Sequence, residues 1–243
     1  MKAVEQLSGC PVEFSPDSAL EVQATLKKAR NGATSHQLRY RPNSGPLDYW
    51  VAYQCGFALR FYQLAPDQRF DFVDTGEGTE GALALLLSGQ PVSDADSELA
   101  PMFARQIEQW ALMTVLSYPV GMRVDQWLYE EYPSLRDLQA EGLAFIQAEN
   151  LRLLSLAMGN LRVPVPLMGM PAAYAMFVDR LLGVSRHAIP YRGAGVSEIG
   201  ATLLECLEKT PKLPASDRDL IDAWAQNLGI ASWYKWRPYR MLA

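Results

Sequence analysis

Proline and glycine interrupt this chain at short intervals, and between them apolar residues recur at three- and four-residue spacing. Leu and Ala dominate these stretches, while Val and Ile seldom alternate with polar residues, so helices are favoured over strands. The pattern predicts an all-α fold, a single compact domain of about nine helices over residues 1–243, with at most a minor hairpin or short strand. Ser15-Pro16 reads as a helix cap with first-turn proline, and Gly32 as the stop. Pro46 opens a second helix whose stripe is Leu47, Trp50, Val51, Phe57, Ala58, Phe61 and Leu64. Phe70-Asp71-Phe72-Val73 alternates and is the one candidate strand. Further helices are predicted from Thr79 to near Gly89, from about Ala100 to Tyr118 with Pro119 as the stop, and around Val124, Trp127 and Leu128. Others run from Leu135 to Met158 with Gly159 as cap, from Pro171 to Leu182, from Ser197 to Lys209, and from Ser216 to Gly229. The proline-rich stretch near 160–170 is the candidate subdomain break. The piece beyond it would hold a marginal core on its own.

The chain has two histidines and three cysteines, and none lies near another. Cys10, Cys55 and Cys206 fit neither a disulfide framework nor a zinc pattern, and His36 and His187 belong to no Glu-x-x-His or HExxH motif. No cofactor and no metal are therefore expected, and no catalytic residue is nominated. Leu7-Ser8-Gly9-Cys10 has the local form of a lipoprotein cleavage site, but the apolar run such a site needs does not precede it. No stretch has the length of a membrane span. A cytoplasmic protein is expected.

The formal charge of −5 argues against a general nucleic-acid binder. Its distribution is uneven. Lys27, Lys28, Arg30, Arg39 and Arg41 form a basic segment, and Asp67, Asp71, Asp74, Glu77 and Glu80 an acidic one. The acidic face offers Asp71, Asp74 and Glu77 to a partner. The segment Trp233-Tyr234-Lys235-Trp236-Arg237-Pro238-Tyr239-Arg240 is rich in the residue types that dominate interface hot spots. Trp233, Tyr234, Trp236, Arg237, Tyr239 and Arg240 are accordingly candidates for partner binding, against the alternative that the segment folds back and caps the core. A second candidate runs from Arg186 to Ser197. There Arg186, His187, Tyr191, Arg192, Gly193 and Gly195 lead into a helix N-terminus that suits an anion. Asp125, Glu130 and Glu131 flank Trp127, but adjacent helical positions diverge too far for the two glutamates to share one site.

Asp48-Tyr49-Trp50 and Ala58-Leu59-Arg60 in the second helix, with Gln109-Trp110-Ala111-Leu112 in the central one, give the chain an organisation that resembles the all-helical immunity proteins of bacterial polymorphic-toxin systems. The resemblance implies an antidote that binds and blocks one cognate toxin, and it carries no functional residue across. The expected function is thus a non-enzymatic protein-binding domain with another protein as partner. The alternative is a helical enzyme acting on an anionic small molecule near Arg186–Ser197.

Overall fold

In the computed structural model, residues 1–30, 32–87, 94–158 and 163–239 are described. Among them nine α-helices accompany two small sheets, so the fold is mixed α/β and the all-α expectation is corrected. The correction falls mainly on the first forty residues. These form a short helix α1 (Lys2–Ser8) and three strands, β1 (Val12–Pro16), β2 (Ala24–Lys27) and β3 (His36–Tyr40). Strand β3 lies in the middle, parallel to β1 and antiparallel to β2. The Ser15-Pro16 pair does not cap a helix. Pro16 ends an edge strand, where a missing N–H costs no ladder bond. His36-Gln37-Leu38-Arg39-Tyr40 alternates, and its inward residues His36 and Leu38 are buried. His36 Nδ1 accepts the Ala29 N–H at 2.8 Å, which leaves Nε2–H to bond Ser8 Oγ, also at 2.8 Å. Burial lowers the pKa of this ring, and it serves as a satisfied structural histidine.

Helix α2 (Leu47–Tyr62) covers this sheet through Cys55, Ala58 and Tyr62, which pack on Val4 and Leu38. Strand β4 (Phe70–Asp74) is the strand expected from alternation, and helix α3 (Gly78–Leu87) follows it. The expected stop of α3 at Gly89 and the acidic loop from Pro91 lie outside the described residues. Helix α4 (Asp94–Glu131) then passes straight through Pro119, joining two segments that read as separate helices. A mid-helix proline removes a backbone donor and normally costs about 3 kcal/mol. Burial offsets the loss: Ala111, Val115, Val120, Met122, Val124 and Leu128 are all enclosed by neighbouring helices. The hydroxyls of Thr114 and Ser117 bond the carbonyls of Trp110 and Met113, one turn back, in the stretch leading to the proline.

Helix α5 (Arg136–Met158) returns beside α4. Helix α6 (Gly169–Leu182) is buried along most of its length and stops at Gly183 in the left-handed region. The short α7 (Ile189–Gly193), α8 (Ser197–Lys209) and α9 (Asp217–Leu228) follow. The central core draws Leu143 from one side of the 160–170 connector, Leu167 from within it, and Tyr174, Leu203 and Trp224 from the other. One core therefore spans the connector. The chain then forms strand β5 (Tyr234–Pro238), which pairs antiparallel with β4.

Candidate binding cleft

Four elements leave a gap between them. Helices α2, α4 and α9 and the β4–β5 ribbon border a cleft of about 990 Å³, with β2 and the residues after it along one side. Its floor is apolar: Phe57 and Phe61 from α2, Leu116 and Val120 from α4, Phe72 from β4 and Trp236 from β5. Val22 and Met113 stand at the rim with more than half of their surface exposed. A cleft of this size, apolar at the base and charged at the edge, has the anatomy of a recognition site.

The rim charges are mostly paired. Arg60 grips Asp217 with two bonds of 2.6 and 2.7 Å, and Arg30 meets Asp71 at 3.2 Å. Arg218 stacks on Phe70 and Trp236 and reaches Asp222 at 3.8 Å. Lys28 differs. Its ammonium sits 3.3 Å from the centre of the Phe61 ring, and no described carboxylate lies within ion-pair distance of it. Burial and then the Arg30 guanidinium push its pKa down to about 8, with Asp71 opposing. It is a partly desolvated cation on an aromatic face, available to an incoming acid.

Beneath the cleft lies a buried polar network centred on Asp125. Its carboxylate accepts the Tyr49 hydroxyl at 2.8 Å, the Tyr174 hydroxyl at 2.7 Å and the Gln139 amide at 3.1 Å. Burial raises the Asp125 pKa to about 6, and the three hydrogen bonds resist that rise. Tyr53 neighbours Tyr174 and Asp125, burial raises the pKa of its phenol, and Tyr53 also lines the cleft. Gly121 makes this possible: a Cβ there would stand 2.2 Å from the Tyr53 oxygen. Tyrosine and carboxylate thus link the cleft wall to the interior.

The candidate residues from the sequence divide between the cleft and its surroundings. Trp236 and Asp71 line the cleft. Trp233, Tyr234 and Tyr239 are buried behind it and are no exposed docking surface. Tyr234 and Trp236 both donate to Asp222 Oδ1, at 2.6 and 2.8 Å, and Tyr239 donates to the Ala29 carbonyl at 3.1 Å. The aromatic segment is thereby stitched to α9 and to the N-terminal sheet. Arg237, Asp74 and Glu77 are exposed and do not border the cleft, and Arg240 lies outside the described residues.

The segment Arg186–Ser197, expected to hold an anion, is anchored at its start by an internal carboxylate. The buried carboxylate of Asp179 already accepts the backbone N–H groups of Arg186, His187 and Ala188 at 3.2, 3.0 and 3.0 Å. This carboxylate holds the turn before α7; the start of α8 lies further on, and there the Ser197 hydroxyl is buried without a hydrogen-bond partner. Tyr191 is buried, while Arg186, Arg192, Gly193 and Gly195 face solvent. His187 is half-buried, and desolvation lowers its pKa. Among the described residues, no group of three His, Cys, Asp or Glu side chains is arranged to hold a metal, and no helix is long and apolar enough to cross a membrane.

The sequence marks Lys28, Arg60 and Asp125 only as members of a basic segment, a helix and an acidic flank, and gives none of them, nor the acids of α9, a place in a cleft. Asp125 carried one local signal, a carboxylate next to the apolar positions Val124 and Leu128, where only a bonded charge is tolerated once buried. Lys28 carried none. No known protein family, curated protein or solved structure matches the chain.

Proposed function

We propose that this chain is a protein-binding domain with no chemistry of its own, and that it takes an apolar segment of a partner protein into the cleft. The observation that carries this reading is the apolar floor of Phe57, Phe61, Phe72 and Trp236 beneath an exposed apolar rim of Val22 and Met113. Large apolar surfaces left open on a folded domain mark interaction sites. Lys28 adds chemistry to the partner: an acidic residue flanking the inserted apolar side chains would replace its missing counter-charge. The form of this reading in which the partner is a toxin, and the contact neutralises it, follows from the resemblance in organisation. The two sheets weaken that resemblance, since it was drawn to all-helical proteins, so the cleft is its main support.

The test is co-expression with the product of the adjacent gene, scored by growth and by co-purification, in the wild type and in Met113→Asp. Met113 is an exposed rim residue, so this change leaves the fold intact. Protection and co-purification that fall by about tenfold or more in the variant support the reading. A neighbour that neither harms cells nor co-purifies removes the antidote role. A complex that Met113→Asp leaves unaltered removes the cleft.

A further inference from the structure

A second, smaller cavity of about 140 Å³ lies between α2 and α4. Gly56, Leu59, Arg60 and Gln63 line it from α2, and Arg123, Val124 and Trp127 from α4. A single water needs about 10–15 Å³ of such space, so the cavity has room for several waters or a small polyatomic ion. No acidic side chain is among its lining residues, whereas two guanidinium groups, an amide and an indole are.

Arg123 is the unusual member. Its side chain is 3% exposed, and both terminal nitrogens are committed, one to the Pro211 carbonyl and the other to the Thr210 carbonyl at 3.0 Å. Its Nε–H has no acceptor at all. The nearest carboxylate is Asp217, 3.7 Å from Arg123 and already held by two shorter bonds to Arg60. Two buried or half-buried guanidiniums therefore share one carboxylate, and a unit of positive charge is left over at the cavity. An unmatched buried charge with an idle donor is costly unless something supplies the missing acceptor.

We infer that this cavity is a binding site for a small oxyanion of the phosphate, sulfate or carboxylate type, held between Arg123 and Arg60 with Gln63 at its mouth. Guanidinium N–H groups match the spacing of oxyanion oxygens. Gln63 is exposed, and its side-chain amide, unlike its backbone N–H, is in no hydrogen bond with a described residue, so it is free to close over the anion. The site is separate from the apolar floor of the main cleft, although Arg60 borders both. Its occupancy would brace α2 and α4 against the start of α9, because Arg60, Arg123 and Asp217 hold those three elements together.

The test uses inorganic phosphate, sulfate and acetate, each titrated at constant ionic strength against chloride. Calorimetry reads affinity, and the side-chain Nε–H signals of ¹⁵N-labelled arginines report the place. Saturable binding of at least one oxyanion, with the Arg123 Nε–H signal moving in step, is expected. Gln63→Glu, a change at an exposed position that brings a like charge to the mouth, should lower the affinity by about tenfold or more. If none of the three anions binds saturably, the proposal fails. It fails equally if binding leaves the Arg123 signal still or is the same in Gln63→Glu, because the anion then sits elsewhere.

Discussion

Tyr174 donates its hydroxyl to Asp125 Oδ2 across 2.7 Å, and both residues are wholly enclosed. A carboxylate buried near the C-terminal end of a 38-residue helix is stable there only because phenol and amide donors replace water around it. Its stability therefore depends on its proton.

Asp125 should make the protein more stable in mild acid than its surface charges alone would. Its pKa rises from an ordinary 3.8 to about 6 on folding. Between those values the native state binds more protons than the unfolded chain, so this group's contribution to stability falls as pH rises. Asp125→Asn removes that slope. Urea titrations should show the wild type losing stability relative to the variant between pH 4 and pH 6, by an amount on the order of 3 kcal/mol. A constant difference across that range would mean that Asp125 is ionised throughout.

Lys28 should carry the opposite signature at alkaline pH. Its pKa falls from 10.5 to about 8 in the folded protein. Between those values the unfolded chain holds the extra proton, so stability rises with pH over that window, and Lys28→Met abolishes the rise. The free amine is also the better nucleophile. Limited acetylation at pH 8, read by peptide mass spectrometry, should modify Lys28 faster than the exposed Lys27. Equal rates would place Lys28 in water.

Trp236 and its neighbour Arg237 should behave in opposite ways. The indole packs on Phe72 and bonds Asp222, so Trp236→Ala should cost about 3 kcal/mol of stability. Arg237 is exposed, and Arg237→Ala should stay within about 0.5 kcal/mol of wild type. Thermal melts of the two variants decide the matter, and a harmless Trp236→Ala would contradict the packed strand.

Gly200 marks a close approach of α8 to the backbone of α6. A Cβ there would lie 2.9 Å from the Ala173 backbone nitrogen, and no side-chain rotation relieves that contact. Gly200→Ala should destabilise the fold by about 1–3 kcal/mol, measured by chemical denaturation. Stability equal to wild type would show that the two helices can separate at little cost.

Helix ends were the legible part of this chain, because their signals are local. Gly183 and Gly229 both stop helices in the left-handed conformation that glycine adopts freely. The alternation in Phe70–Val73 also identified its strand. The N-terminal strands were not legible: each is only four or five residues long, and Ser15-Pro16 gives the same letters for a helix start as for the end of an edge strand. Pro119 misled for a different reason, since packing around α4 outweighs a local breaker. The cleft was hidden because its walls come from distant positions. Trp236, Asp71 and Lys28 have no sequence relationship that would bring them together.

The pairing of β4 with β5 closes one wall of the cleft with a strand far along the chain from the one it meets. Thr75 bonds the carbonyl of Ser232, 157 positions onward. During translation the walls from α2 and α4 can be in place while this side still gapes, with the β4 edge unpaired. A nascent chain would therefore pass through a stage in which Phe72 lies bare to solvent or to a chaperone. The cleft would take its final shape only once α9 and β5 have been made and have docked.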